Sequence, residues 1–173
     1  MTDSFQAFDP NAEVIGRSML ANFHNLNKEH FIPVLEAHGI LEINPQAWYP
    51  QQLWLDILKE VAATAGDGMF DFVAVGMSVA TLAPFPPNVK TIPQAFEAMG
   101  KVYAANHRNG YVGEWVCEST TDHSVFERVK SPYPDDFLYG VVYGITKRYV
   151  PAGQPILVTR SHQGDMCCFT ISW

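Results

Sequence analysis

Six histidines, three cysteines and a large aromatic complement are the residues of this chain that could do chemistry. None of the histidines sits in an HExxH pattern or beside a CxxC. His24, His30 and His38 fall among polar neighbours on the first two expected helices, where a surface role is the default. His123 follows Asp122 in a turn-rich connector. Asp165, His162 and Cys167 resemble a Cys-His-Asp set on paper, but all three belong to one tight hairpin with Asp165 at its turn. Turn chemistry accounts for Gly164-Asp165, and a triad is defined by geometry rather than composition. There is no Walker loop and no GxGxxG after a strand. Gly140 and Gly144, four apart on one helix face, are expected to let that helix approach the sheet or a ligand closely. No set of residues meets the requirements of general acid–base or nucleophilic catalysis, which favours binding over turnover.

The positive signal is aromatic. Eleven Phe, seven Tyr and four Trp exceed what a plain core of 173 residues needs. Trp54, Phe70, Phe72, Met77, Phe96, Met99, Tyr103, Trp115 and Phe137 fall on faces expected to point inward. They are the candidate lining of an apolar cavity between the helical half and a sheet, with Met as adaptable lining. The competing reading is a solid core at close-packed density, or an apolar helix buried in a homodimer interface.

Such residues need elements to hold them. Asn11 is expected to cap a helix through Val14, Met19, Leu20 and Phe23. A second holds Phe31, Val34 and Leu35 and stops at Gly39. After Pro50, Trp54, Ile57, Leu58 and Val61 follow i, i+3, i+4, i+7, with Asp56, Lys59 and Glu60 off the stripe. From Asp67-Gly68 a run including Met69, Phe70, Phe72, Val73, Val75, Met77, Val79 and Leu82 is apolar on nearly every side, which predicts a central helix buried all round. Pro84, Pro86 and Pro87 break the chain. Thr91 and Gln94 form a capping box with Pro93 in the first turn, opening a helix with Ile92, Phe96, Met99 and Tyr103 on one face.

At Tyr111 the period drops to 2. Strands around Tyr111–Cys117 and over Ser124–Lys130 make a hairpin. A Ser-Pro-Tyr-Pro loop leads into a helix from about Asp135 to Tyr149. Strands over Ile156–Ser161 and Met166–Trp173 make a second hairpin, turning at Gln163-Gly164-Asp165. Helices followed by ββαββ predict an α+β fold, with N-terminal helices packed on a four-stranded antiparallel sheet. The expected organisation is a short N-terminal extension, 1–10, and one domain, 11–173.

Composition narrows the function classes. A net charge of −7 spread over the chain argues against nucleic acid and anionic membranes. Hydrophobic residues reach 47% and charged ones only 17%, below the ~25% usual for soluble domains. The chain therefore has apolar surface to spare for a ligand or partner. Cys117, Cys167 and Cys168 are too few for a disulfide framework, which suggests a reducing compartment. The polar start is not a signal peptide. The longest apolar run, 69–85, is short of the ~20 residues a bilayer needs. The expectation is a cytoplasmic protein with no membrane insertion.

The last forty residues carry a further pattern. Phe137-Leu138-Tyr139-Gly140-Val141-Val142-Tyr143-Gly144-Ile145 is followed by a strand and then His162-Gln163-Gly164-Asp165-Met166-Cys167-Cys168-Phe169-Thr170-Ile171. This resembles the 4-vinyl-reductase domain. That domain shares a superfamily fold with haem-NO/oxygen-binding sensors and with Golgi transport subunits of the TRAPP complex. The resemblance implies a small-molecule sensing or carrying module, often a homodimer, whose relatives hold haem, acyl chains or aromatic compounds. Zinc-binding members use cysteines on the last hairpin, one about four residues before the Gly-Asp turn, where this chain has Arg160. Cys167, Cys168 and His162 remain as donors. Adjacent strand residues point to opposite faces, and a structural zinc site wants four ligands, so zinc is not expected. Haem-binding relatives carry their proximal histidine on the helix before the first hairpin. Here that helix offers Met99, Val102 and Tyr103, with His107 at its end; Tyr103 stays a candidate because Tyr can ligate haem iron, but haem is not expected either. The leading reading is a non-enzymatic domain binding an apolar small molecule. The alternatives are an enzyme acting on a hydrophobic or tetrapyrrole-like substrate, and an assembly subunit with a vestigial pocket.

Overall fold

The computed structural model describes residues 5–24, 28–64 and 71–173. In chain order the elements are β1 (Glu13–Ile15), α1 (Gly16–Asn22), α2 (Lys28–Ala37), β2 (Trp48–Pro50), α3 (Gln51–Thr64), α4 (Phe72–Leu82) and α5 (Ile92–Ala104). They continue with β3 (His107–Arg108), β4 (Glu114–Thr120), β5 (Ser124–Lys130), α6 (Asp135–Tyr149), β6 (Leu157–Gln163) and β7 (Met166–Ser172). The α+β class and the helices-then-ββαββ order are as expected. The four-stranded antiparallel sheet runs β4-β5-β7-β6, so the two hairpins join through β5 and β7.

Several helices form where local chemistry dictates. The predicted stripe of α3 is buried at Trp54, Ile57, Leu58 and Val61, joined by Leu55. Thr91 caps α5 by accepting from the Gln94 amide, but the Gln94 side chain accepts from Lys90 N at 2.8 Å instead of closing a reciprocal box. Asp71 caps α4 by accepting from Val73 N. In the last hairpin Gly164 takes φ 62° at the turn, a left-handed value that suits glycine.

Three expectations are corrected. The residues around Val14 are a strand, not a helix capped by Asn11, and α1 starts only at Gly16. β1 pairs with both β2 and β3 in a small second sheet, order β2-β1-β3. Strands of two or three residues are too short to display a period, and tertiary pairing alone makes them. Second, α4 is not buried all round. Val75, Gly76, Ser78 and Ala80 are buried, Phe72, Val73 and Met77 are half-buried, and Ala74 and Leu82 are exposed. Met69 and Phe70 lie outside the described residues. Third, Gly140 and Gly144 do not serve the sheet or a ligand. A Cβ at Gly76 would strike the backbone of α6, one at Gly140 the Val73 backbone, and one at Gly144 the Ala80 side chain. The three glycines let α4 and α6 cross with their backbones nearly touching.

Residues 5–10 lie against the domain. Phe5 N donates to Pro132 O at 2.8 Å, and Ala7 N to Gln52 Oε1 at 2.8 Å. No helix of the described residues is long and apolar enough to cross a membrane.

Candidate functional site

The α4–α6 crossing, α1, α3, α5 and β4 line a cavity with about 70 Å³ of free space. Its walls are almost wholly apolar: Trp54, Val79, Met99, Trp115, Phe137 and Val141 among them. Of the sequence candidates, Trp54, Met99, Tyr103, Trp115 and Phe137 line it. Phe96 is buried but outside the wall; Phe72 and Met77 are half-buried elsewhere, Phe72 tilted against Phe5 at 5.7 Å. Phe70 is outside the described residues. The split has a simple cause. α5 carries Phe96 at one end and Met99 and Tyr103 at the other, and only the second end faces the space that α1 leaves open. Half of α4 packs on α6 and the rest faces outward.

The polar atoms in the wall fall into two groups. Some are paired. Tyr103 donates its hydroxyl to Val112 O at 2.6 Å. His107 Nδ1 lies 2.8 Å from Tyr103 O, and its Nε2 lies 3.3 Å from the Tyr133 hydroxyl. As a residue His107 is only half-buried, but its ring packs 4.3 Å from that of Tyr103, and burial lowers its pKa to about 4. The imidazole is therefore neutral. Burial drives both tyrosine hydroxyls well above their ordinary value, so they stay protonated.

Others have no partner. Asn22 donates to Ser18 O at 2.6 Å, yet its Oδ1 is buried without a donor. The Trp115 indole Nε1 is buried without an acceptor. Most buried polar atoms in folded proteins are satisfied, because an unpaired one costs about 1–3 kcal/mol. An unpaired acceptor and an unpaired donor thus belong to two residues of this mostly apolar wall.

Sequence reasoning missed Asn22, which shares a helix face with Met19, an i, i+3 signal available in the sequence. It also missed Glu127, which falls in step with Val125 and Val129 and so belongs on the core face of β5. Glu127 is fully buried and neither carboxylate oxygen has a hydrogen-bond partner. Desolvation raises its pKa to about 8, offset only in part by the neighbouring Cys117 thiol. That thiol is pushed up to about 12, first by burial and then by Glu127.

A second cluster lies on the last hairpin. Asp135, at the start of α6, reaches His162 Nε2 at 2.7 Å, and the donor atoms of Asp135, His162 and Cys167 lie within 4.8 Å of one another. The Cys-His-Asp set thus exists in space with Asp135 in place of Asp165, which pairs instead with Lys130 at 2.6 Å. The Cys167 thiol is pushed up to about 12, chiefly by burial, so it is not an activated nucleophile. Cys168 sits opposite Ser161 and Arg128, and Cys167 opposite His162 and Val129, so the two thiols face opposite sides of β7. Among the described residues three donors converge, one short of a closed structural zinc site.

Comparison with known proteins shows what the architecture is similar to. No family model matches the chain, and no curated protein sequence matches it. Solved structures do. A haem-NO-binding (H-NOX) protein from S. oneidensis, in an Fe(II)NO ligation state, superposes with a TM-score of 0.68 over 91% of this chain and 98% of its own, at 13% identity. The I5F mutant of T. tengcongensis H-NOX gives 0.63 over 90% and 92%, at 12% identity. The fold is similar to that of the H-NOX domains, the fold expected from the resemblance of the last forty residues.

The wall as built does not fit haem. Ligand pockets of ~300 Å³ and more are usual for far smaller molecules, and here the free space is about 70 Å³. Both ring nitrogens of His107 are within hydrogen-bond reach of other groups. Among the described residues no Arg or Lys lines the cavity to meet the carboxylates of a haem.

Proposed function

We propose that this chain is a non-enzymatic ligand-binding domain of the 4-vinyl-reductase type, which takes up a small, mostly apolar molecule in the cavity between α1, α4, α5, α6 and β4. The observation that carries the reading is the pair of unpartnered buried atoms, Asn22 Oδ1 and Trp115 Nε1, on two residues of an otherwise apolar wall. A guest with one or two polar atoms satisfies both, and burial of its apolar part supplies the affinity. The volume sets its size. A cavity of ~150 Å³ admits benzene, so about 70 Å³ suits a narrow group such as a short alkyl chain. Binding rather than turnover follows from the ionisable groups present. His107 is neutral and engaged at both nitrogens, and Tyr103 and Tyr133 are held far from ionisation. None is poised to exchange a proton near neutral pH.

Native mass spectrometry of freshly isolated protein tests this. The expected result is a small-molecule adduct lost on denaturation, or uptake of an added short-chain alcohol read by the fluorescence of Trp54 and Trp115. A chain that retains nothing and admits nothing would favour the assembly-subunit reading.

Haem is the second reading, favoured by the fold of the H-NOX structures and by the neutral imidazole of His107. It requires the wall to open. Mixing the protein with hemin and recording the Soret band decides it, a His107-dependent band being the outcome that restores haem.

A further inference from the structure

Outside the cavity lies a second space, a surface groove of about 320 Å³ between α1 and the end of α4. Ser18, Val79, Ala83 and Asn106 line both spaces. The two are therefore separated by one layer of side chains, and the partition is built from small or polar residues. Asn106 holds it in place by donating to Val102 O at 2.9 Å and accepting from Arg17 Nε at 3.2 Å.

The groove has a chemical character of its own. Its rim carries Leu20 and Leu82, two of the few large apolar side chains that the surface exposes. Among the described residues its charged or chargeable members are Arg17 and His24, and no Asp or Glu lines either space. This stands out in a chain with 18 acidic and 11 basic residues. Arg108, Arg128 and Arg160 each pair with a carboxylate, and Arg148 caps the end of α4 through Ala80 O and Ala83 O. Arg17 spends Nε on Asn106 and one Nη on Ala105 O at 3.4 Å, and among the described residues no carboxylate pairs with it. A guanidinium has five N–H donors in a planar fork that matches a carboxylate, so most of its capacity faces the groove unused.

We propose that the groove is the vestibule of the cavity and that the two together bind an amphipathic monocarboxylate, apolar tail inward and carboxylate on Arg17. Phosphate esters are a poorer match, because one guanidinium without a cluster of further donors balances one negative charge rather than two. The proposal rests on the cavity's being a ligand site and adds the head group, the orientation and the route of entry.

Hexanoate and hexan-1-ol share a chain length and differ in the charged head. Titrated into the full chain, with Trp54 and Trp115 fluorescence and calorimetry as readouts, hexanoate should bind about fivefold to tenfold more tightly, the scale of one charge-assisted contact at a partly exposed site. The preference should shrink as salt rises toward ~1 M. It should collapse toward one in Arg17→Met and survive in part in Arg17→Lys. Equal affinity of the two probes for the wild type, or a preference that outlives Arg17→Met, would overturn the vestibule while leaving the cavity reading intact. Neither probe binding the wild type would overturn both. If Arg17→Met does not fold, the salt series on the wild type decides, and a preference indifferent to salt sinks the proposal.

Discussion

In the interior, polar atoms are buried and short of partners: Asn22 Oδ1, Trp115 Nε1, both amide atoms of the Gln51 side chain and both oxygens of Glu127. On the last hairpin and the start of α6 every charge has an opposite number: Lys130 with Asp165, Arg160 with Asp136, His162 with Asp135. The two regions share one sheet and differ in solvent. The hairpin pairs are partly exposed, so water would serve either member if the other were removed, and each pair contributes little. The interior atoms have no such substitute, and leaving them unpaired is costly. An orphaned polar atom therefore says more about function inside this protein than a complete ion pair does outside it. In the proposed reading a guest supplies the missing partner at Trp115 and Asn22, whereas at Glu127 protonation removes the buried charge.

The largest effect expected from this contrast is on stability against pH. Glu127 has a folded pKa of about 8, above the unfolded value of about 4.3, so the folded state holds the proton longer. Its contribution is full below about pH 4.3 and falls by about 1.4 kcal/mol per pH unit up to about pH 8. His107 has the opposite sign. Its folded pKa of about 4 lies below the unfolded value of about 6.5, so stability is lost as pH falls between those two values. Between about pH 4.3 and 6.5 the two slopes nearly cancel. Urea unfolding should show a flat window there and a decline above it. Glu127→Gln should remove the decline and leave a curve that rises with pH. A decline unchanged in that variant would place the titrating group elsewhere.

Next in size is the filling of the cavity. Met99→Trp should abolish uptake of a short-chain alcohol with a modest loss of stability, because its ring enters space already free. If the wall is packed solid, the same substitution should cost ~1–3 kcal/mol or more. Chemical denaturation together with Trp fluorescence titration separates the two.

The smallest effect belongs to the hairpin. Asp135→Asn should change stability by less than ~1 kcal/mol, as exposed pairs do, measured by thermal melts. Added zinc that raised the melting temperature of the wild type but not of Asp135→Asn would mean that Asp135, His162 and Cys167 hold a metal and that the hairpin is the functional region.

What the chain displays at short range was legible in it. Helix α6, strand β5 and the Thr91 cap stand where the residues place them, because capping and periodicity depend on neighbours three or four positions away, or two in a strand. Trp54, Met99, Tyr103, Trp115 and Phe137 were legible as inward-facing for the same reason. Periodicity gives the face of an element but not what stands opposite it. Whether the space opposite is filled or open is set by how closely two backbones approach, here at the crossing of Gly76 with Gly140. The same limit explains the small sheet around β1, the exposed side of α4, and Asp135 standing where Asp165 had been expected. Sequence alone determined an apolar interior with helices in front of two hairpins. Tertiary packing decided that a gap remains in it and which buried polar atoms are left unpaired, since both depend on contacts between segments far apart in the chain.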